Sequence, residues 1–530
     1  MKTFLVLLAL SLFVIKGWAG GGPSGFIVVY DARDIRSTTI ANHYQNLRNI
    51  PERNMINFSF PSGFNRTSAW DFVYFIRETL AERGLEEQFQ GIALAAVTPL
   101  GSSTTNGGTE SNKWPTLSLQ SFLYISPNYS HGSTPVDNSR LQKAFPSPTT
   151  AFNGPSPTGT RAINASSSFD GETYWPVSYI GFPGWDGNSP REILRLLDRS
   201  LAADGAKPNG TIYWPLNSDV RSYWFRQGQI QEVKNVWADR GIRFEVTGRH
   251  NQSGNTWVSN KPDVAGGLVG ASTFSYTTNT YLPGAWVDNV TSVGGSLSGR
   301  GSQTPASMWL RSGAYGSSGA VVEPTANRPK FPHPHIHTHF RAGASLAEAF
   351  WQSIQRPAEI MALGDPLMQP YADFPVVEIA APLDGASVSG LIHIVASAQG
   401  SAGKTLEPEL DLFINGRRIA IGAAHEAVVA SRQWDGFSLD TTSLPDGWHD
   451  VRVVAYNADS VRTEAEAGIY LEVDNFGQSI ALSGPGLLNR NEAANFVITP
   501  SGLPDLDSLT LQANGRILKE VATGGGGRLS

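Results

Sequence analysis

Short apolar runs alternate with longer amphipathic segments in the first half of this chain, and this alternation constrains the fold more than any other feature. The runs FIVVY (26–30) and GIALAAV (91–97) are continuous apolar stretches, as expected for strands that a parallel sheet buries on both faces. Between them, residues 68–83 place large apolar side chains at the three- and four-residue spacing of a helix. Strands that alternate with helices predict an α/β domain with a doubly wound, mostly parallel sheet.

The alternation stops at a Ser/Thr/Pro/Gly-rich insertion, at about residues 101–172, and then resumes. Further strands are predicted at 175–182, 211–216, 241–246 and 264–270. Open sheets of this class bind ligands beyond the carboxyl ends of their strands. We therefore expect the segments that follow four of the strands to face one shared cleft. These are the segments after Val97, Phe182, Leu216 and Gly270.

The N-terminus has the three parts of a secretory signal peptide. Lys2 supplies a positive charge, residues 4–15 are apolar, and a small-residue cleavage site ends at Ala19. The alternative is a membrane anchor, but the apolar run is shorter than the roughly 20 residues that span a bilayer. Residues 1–19 are therefore predicted to be a signal peptide. The mature protein is expected to be secreted, extracellular or periplasmic, and associated with the cell envelope.

Charge and cysteine content exclude several classes of partner. The net charge is −6 at pH 7 and no basic run is longer than two residues, so nucleic acid and anionic membrane surfaces are not expected as partners. No later stretch is long and apolar enough to predict a transmembrane segment after signal cleavage. The chain has no cysteine, so stability must come from apolar burial in large cores rather than from disulfide bonds.

The sequence period changes at Phe374, where short strands replace the alternation of strands and helices. Several short apolar runs follow at close spacing, and Asn415-Gly416 marks a tight hairpin between two of them. This pattern predicts an all-β immunoglobulin-like sandwich at residues 375–475, after an α/β domain at residues 20–374.

The last part of the chain repeats part of the predicted sandwich. LTLQANGRIL (509–518) restates LDLFINGRRI (410–419), including the Asn-Gly hairpin signal. Residues 476–530 are therefore predicted to be the start of a second, incomplete β-sandwich.

Four motifs near the end of the α/β region are specific in sequence and order. They are GSSGAVVEP (316–324), FPHP (331–334), SLAEAF (345–350) and GDPL (364–367). Together they resemble a family of exported bacterial proteins of unassigned function, whose homology region would cover about residues 26–371. That family is distantly similar to gingipain-type and caspase-like cysteine peptidases, so the resemblance implies a caspase-like α/β fold for residues 20–374. Those peptidases use a His-Cys dyad, and a chain without cysteine cannot form its thiolate nucleophile.

Four histidines occur at alternate positions: His333, His335, His337 and His339. In an extended segment, alternate side chains point to one face. Two or three imidazoles that project together can bind a divalent transition metal such as zinc, nickel or copper. We predict His333, His337 and His339 as metal ligands, because the resemblance supports them more clearly than His335. The alternative is a loop whose histidines are solvated or pair with carboxylates.

Four further polar residues are candidates for a catalytic site: Glu323, Asp365, Asp288 and Ser292. Glu323 and Asp365 each precede a proline that stiffens the turn, and either can supply an acidic partner to a metal. Asp288 and Ser292 match the family pattern and can line the same cleft, although a capped turn is the alternative for this pair. The glycine-rich residues 313–319 predict either a backbone nest for an anion or a close-packed turn.

Two functions from different classes agree with these features. The first is an exported envelope or extracellular protein that binds or organises surface components, with an envelope polysaccharide or protein as its partner. The motivating observations are the specific motifs, the missing thiol nucleophile and the appended sandwich. The second is a metal-dependent hydrolase that uses the histidine cluster at residues 333–339 with a divalent transition metal.

Overall fold

The structure is a computed structural model. It describes residues 21–61, 66–96, 101–102, 117–126, 175–252, 257–275, 277–297, 302–324, 328–354, 357, 359–401, 403–423, 431–459, 461–486, 493–503, 506, 508–513 and 516–522. The predicted signal peptide and most of the predicted insertion lie outside the described residues. In the described part, no helix combines the length and the apolar character that crossing a membrane requires.

Strands and helices alternate in the α/β domain. The strands are β1 (Phe26–Tyr30), β2 (Met55–Asn57), β3 (Gly91–Ala95), β4 (Gly101–Ser102), β5 (Leu117–Ser118), β6 (Val177–Gly181), β7 (Thr211–Leu216), β8 (Arg243–Gly248), β9 (Val264–Val269), β10 (Tyr281–Asn289), β11 (Gly316–Ala320) and β12 (Ile360–Gly364). The α-helices are α1 (Ile35–Arg48), α2 (Arg66–Glu82), α3 (Leu119–Ile125), α4 (Pro190–Leu201), α5 (Arg226–Asp239), α6 (Ala306–Ser312), α7 (His335–Arg341) and α8 (Leu346–Gln352).

Ten of these strands form one sheet in the order β2-β1-β3-β6-β12-β11-β10-β9-β7-β8. The strands are parallel within each half of five. The two halves meet where β11 and β12 run antiparallel, with Gly316 opposite Gly364 and Ala320 opposite Ile360. The predicted α/β class is therefore confirmed, with a sheet that is mixed rather than parallel throughout.

The reversal places the carboxyl ends of the two halves at opposite edges of the sheet. β3 and β6 end at one edge, whereas β7 and β9 end at the other. The prediction of one shared cleft for the segments after Val97, Phe182, Leu216 and Gly270 is therefore wrong. Val97 itself lies outside the described residues.

Two short helices explain the change of direction between β11 and β12. The amide of His333, before α7, donates to the carbonyl of Ser353, after α8 (2.8 Å). The amide of Leu346, at the start of α8, donates to the carbonyl of Met368, just beyond β12 (2.9 Å). The chain thus crosses the sheet twice between the strands and returns to the edge that it left. A crossover with one helical pass would have made the two strands parallel.

Helices cover both faces of the sheet, as expected for a doubly wound arrangement. On β1, Phe26, Val28 and Tyr30 pack on one face with apolar residues of α1, whereas Ile27 and Val29 pack on the other face with α2. This alternation within a continuous apolar strand is the burial on both faces that the sequence predicts.

Both halves of the sheet have the same strand order. β1 lies between β2 and β3, as β7 lies between β8 and β9. The next strand towards the centre of the sheet is β6 in the first half and β10 in the second. β2 and β8 are therefore the two edge strands. On β8, the side chains of Arg243 and Glu245 are exposed.

Residues beyond 375 form a sandwich of two sheets. Its strands are β13 (Val376–Ala381), β14 (Ser387–Val388), β15 (Leu391–Gln399), β16 (Leu406–Ile414), β17 (Arg417–Ala423), β18 (Ser431–Asp440), β19 (Gly447–Asn457) and β20 (Glu464–Val473). The sheets β13-β15-β18 and β14-β20-β19-β16-β17 enclose an apolar core that includes Ile394, Leu412 and Val453. The predicted hairpin is confirmed, because Asn415 and Gly416 both have positive φ (50° and 76°), as a tight two-residue turn requires.

The tail forms two antiparallel strand pairs. β21 (Ser479–Ser483) pairs with β22 (Val497–Ser501), and β23 (Ser508–Ala513) pairs with β24 (Arg516–Ala522). Within the described residues neither pair joins a sheet of the sandwich. A second, incomplete sandwich at residues 476–530 stays a prediction.

Buried polar contacts join the sandwich to the α/β domain. The side-chain carboxamide of Gln90 donates to Glu464 (2.9 Å), and the hydroxyl of Ser24 donates to Glu466 (2.7 Å). Arg452 pairs with Glu466 in the same layer (2.7 Å). Burial raises the pKa of Glu464 to about 8 and also raises the pKa of Glu466. Glu464 therefore favours the protonated form at neutral pH.

Replacing Glu464 with glutamine tests this interface. The folded state holds the Glu464 proton up to about pH 8, whereas the unfolded state releases it near pH 4.5, so the contribution of this group to wild-type stability falls as pH rises through this window. Glu464→Gln keeps the acceptor for Gln90 and removes the titration. Urea denaturation measures the free energy of unfolding of both proteins. As pH rises, the value for Glu464→Gln should increase relative to the wild-type value by up to about 1.4 kcal/mol per pH unit.

The control is Glu378→Gln, at an exposed position on β13. It should follow the wild-type pH dependence. If the curves of wild type and Glu464→Gln ran parallel between pH 5 and pH 8, the burial of this carboxyl group would be refuted.

Candidate functional site

His335, His337 and His339 lie in helix α7, and His333 lies two residues before it, so the predicted extended segment is wrong. Pro334 directly precedes the helix with helical backbone angles (φ −53°, ψ −17°), and the fixed φ of proline suits a helix start. In a helix, residues two apart lie on nearly opposite sides, and residues four apart share a side. His335 and His339 accordingly face together, with ring centroids 6.4 Å apart, and His337 projects elsewhere.

His337 is a packing residue between α5 and β9. Its ring meets Trp237 edge to face, with centroids 5.8 Å apart. Gly266 of β9 lies against the ring, since a Cβ at Gly266 would be 2.4 Å from Cε1 of His337. Burial lowers the pKa of His337 to about 3. A neighbouring cavity of about 20 Å³ has room for one water molecule.

His333, His335 and His339 are also buried. Nε2 of His333 lies 3.0 Å from the carboxylate of Glu232. Burial lowers the pKa of all three imidazoles, to about 4 for His335 and about 3 for His339, so the rings are neutral at pH 7. Among the described residues, no group of three or more His, Cys, Asp or Glu side chains can hold a metal ion. The predicted ligand set of His333, His337 and His339 therefore does not form.

Glu323 and Asp365 lie at opposite edges of the sheet and do not share a site. Glu323 follows the end of β11 and is exposed, whereas Asp365 follows the end of the antiparallel β12. Asp365 is fully buried, accepts a hydrogen bond from the hydroxyl of Tyr44 (2.7 Å) and pairs with the guanidinium of Arg48. A buried ion pair depends on both partners. Asp365 therefore ties α1 to the end of β12.

Asp288 also forms an internal ion pair. Its carboxylate pairs with Arg226 at the start of α5 and accepts a hydrogen bond from the hydroxyl of Ser318 on β11 (2.6 Å). Arg226 donates in turn to the carbonyl of Pro332 (3.2 Å), which fixes the chain leading into α7. Ser292 lies in the turn after β10, partly exposed, and no hydrogen bond within the described residues joins it to Asp288.

The glycine-rich residues 313–319 are closely packed, which favours that alternative over an anion nest. Most of them belong to β11. A Cβ at Gly316 would lie 2.7 Å from the ring of Trp286, and a Cβ at Gly319 would lie 2.4 Å from the amide nitrogen of Gly295. No larger side chain fits at either position without displacing its neighbours.

A groove of about 900 Å³ lies between the α/β domain and the sandwich. We call it the interdomain groove. The end of α1, the following turn and β2 line one side, and β19, β20 and the β16–β17 hairpin line the other. Its volume is typical of sites for small organic ligands. It combines parts of the chain that are far apart in sequence and that no motif connects.

Two exposed aromatic side chains stand on the sandwich side of the interdomain groove. Trp448 of β19 is 60% exposed and Tyr470 of β20 is 53% exposed. Asp450 lies opposite Tyr470 in the strand pairing, so Trp448 and Tyr470 are diagonal neighbours on one face of the sheet. That face is the outer one, because Val451 and Val453 fill the core. Large aromatic groups left exposed together indicate a binding surface.

The arginines of the interdomain groove already have acceptors. Arg53 donates to the carbonyls of Asn415 (3.0 Å) and Arg83 (2.8 Å), and Arg83 donates to the carbonyl of Arg53 (2.6 Å). Arg452 donates to the carboxylate of Asp450 (2.8 Å). These contacts fix the walls of the groove. They also mean that its arginine side chains already donate hydrogen bonds to acceptors of the protein.

Replacing Gly266 with alanine should destabilise the fold, because the new Cβ would overlap the ring of His337, which Trp237 holds in place. The free energy of unfolding should fall by about 1–3 kcal/mol, as for other overpacked cores, and by less in a His337→Ala background. Gly468→Ala is the control, because its Cβ would come no closer than 3.4 Å to another atom. Unchanged stability of Gly266→Ala would contradict the position of α7 on β9.

The buried imidazoles should make the folded protein more sensitive to acid between pH 6.5 and pH 4. The buried imidazoles have folded pKa values below the ordinary 6.5, so the unfolded state binds more protons and stability is lost as pH falls. His335→Gln removes one such group. As pH falls, this variant should lose less unfolding free energy than the wild type, by up to about 1.4 kcal/mol per pH unit.

Urea denaturation at several pH values measures this effect. His393→Gln, which changes an exposed histidine of β15, should retain the acid sensitivity of the wild type. Equal acid sensitivity of His335→Gln and wild type would show that His335 is solvated.

Comparisons with known proteins identify no family for this chain. No family model matches it, and no curated protein matches it. Fibronectin(III)-like modules of Clostridium thermocellum CbhA match with 16% identity and a TM-score of 0.15, over 22% of this chain and 53% of that chain. CopC from Methylosinus trichosporium OB3b matches with 17% identity and a TM-score of 0.14, over 20% and 95%. The endo-beta-1,4-mannanase from Thermotoga petrophila matches with 10% identity and a TM-score of 0.14, over 87% and 99%. Scores this low support no conclusion about fold or function.

Proposed function

We propose that this chain is an exported envelope or extracellular protein that binds or organises surface components and is not a peptidase. The signal-peptide pattern at residues 1–19 supports export, and the four motifs that resemble an exported bacterial family support the same location. The absence of cysteine removes the nucleophile of the peptidases to which that family is distantly similar.

The domain assignments that belong to this proposal are a caspase-like α/β domain and an immunoglobulin-like sandwich. Parallel strands with helices on both faces agree with the first. Two packed sheets of short strands, with a tight hairpin between β16 and β17, agree with the second. Both folds occur in proteins of many functions, so the proposed activity rests on the sites and not on the folds.

The interdomain groove is the observation that carries this proposal. The polar residues expected to form a catalytic cleft are used elsewhere: Asp288 and Asp365 hold arginines, and His337 packs in the core. The groove, in contrast, is open to solvent and presents Trp448 and Tyr470. Its two carboxylates are engaged as well, Glu52 by Gln45 and Asp450 by Arg452, so the groove suits binding better than turnover.

Binding to envelope material and hydrolysis can be tested with one preparation of purified protein. We expect the protein to sediment with a washed envelope fraction, and we expect no hydrolysis of peptide or ester substrates with or without added zinc. Metal-dependent turnover that is abolished by His337→Ala would overturn the proposal in favour of the hydrolase alternative. Failure to sediment with the envelope would overturn the binding role.

A further inference from the structure

Several exposed side chains of the interdomain groove have hydrogen-bonding groups without partners among the described residues. Within the part of the chain that the structure describes, no hydrogen bond engages the carboxamides of Asn46 and Asn49, the indole nitrogen of Trp448 or the hydroxyl of Tyr470. All four side chains are exposed. They are uncharged groups that donate or accept hydrogen bonds, and two of them also offer flat apolar faces.

The charged residues of the groove do not select a charged ligand. Arg53, Arg83 and Arg452 each donate to main-chain carbonyls or carboxylates, and acidic Glu52 and Asp450 stand among them. An anionic ligand would have to compete with these acceptors and approach two carboxylates. A neutral ligand needs neither to displace these acceptors nor to bring a negative charge close to the carboxylates.

The walls of the groove are held in position before any ligand arrives. Asn49 ends α1 in the left-handed conformation (φ 55°), and its carbonyl accepts a hydrogen bond from Arg452 of the sandwich (2.5 Å). The buried contacts of Gln90 with Glu464 fix the same interface. A ligand that bridges both domains therefore loses little binding energy to ordering of the protein.

We propose that the interdomain groove binds a neutral carbohydrate chain, with sugar rings stacked on Trp448 and Tyr470 and hydroxyl groups bound by Asn46 and Asn49. Sugar rings combine apolar C–H faces with a rim of uncharged hydroxyls, and the groove presents the complementary pair of groups. The volume of about 900 Å³ accommodates a few linked rings. This inference rests on the proposed binding function and names the class of its ligand.

Isothermal titration calorimetry with defined oligosaccharides tests the proposal. The neutral probes are cellohexaose, mannohexaose and chitohexaose, and the anionic probe is polygalacturonic acid. We expect at least one neutral probe to bind. We expect its Kd to rise about tenfold in Trp448→Ala and in Tyr470→Ala, through the loss of one stacking contact in each.

Two further variants separate ligand contact from structure. Asn49→Gly removes the carboxamide and keeps the positive φ that glycine accepts readily, so it should weaken binding several-fold and leave the Tm unchanged. Trp224→Ala is the matched control, because Trp224 is 53% exposed and lies outside the groove. It should bind as the wild type does.

Three results would overturn the inference. They are binding of the anionic probe alone, binding of a neutral probe that is unaffected by Trp448→Ala and Tyr470→Ala, and binding of none of the probes. If the protein still sedimented with envelope material in the last case, the binding function would stand and the ligand would belong to another class. A protein that bound no probe and did not sediment would lose both proposals.

Discussion

The antiparallel pairing of β11 with β12 is the constraint on which the rest of the structure depends. It consists of five residue pairs, three of its positions are glycines (Gly316, Gly319 and Gly364), and it joins two parallel halves into one sheet. Because it reverses the strand direction, polar residues at strand ends go to two edges instead of one. A buried ion pair lies at each edge: Arg48 with Asp365 at one, and Arg226 with Asp288 at the other.

Much of the fold follows from sequence patterns. Continuous apolar runs predicted the central strands, helical periodicity predicted α2, and the change of period after Phe374 predicted the sandwich. The reversal at β12 could not be predicted in the same way. It depends on two successive helices of seven residues each, and a helical pattern does not show how many times the chain crosses a sheet between two strands. The alternating histidines also favoured an extended segment over the helix that the structure contains.

The candidate site was predicted less well, for a physical reason. Asp288 and Asp365 were predicted as catalytic candidates, but their partners Arg226 and Arg48 belong to no motif, so the ion pairs could not be predicted from the sequence. The interdomain groove requires contacts between distant residues, such as Arg452 with the carbonyl of Asn49, 403 positions apart. Local periodicity and motif spacing carry no information about such packing.

The two edge strands of the sheet have different surroundings. β2 lies beside the sandwich, where Gly416 approaches Pro51 and Asn54. On β8, in contrast, Arg243 and Glu245 are exposed, and they pair with Asp263 and Lys261. A strand from another molecule that docked along β8 would have to desolvate these charges. Exposed charges on an edge strand are one of the means by which proteins limit pairing with another chain, and β8 has this feature.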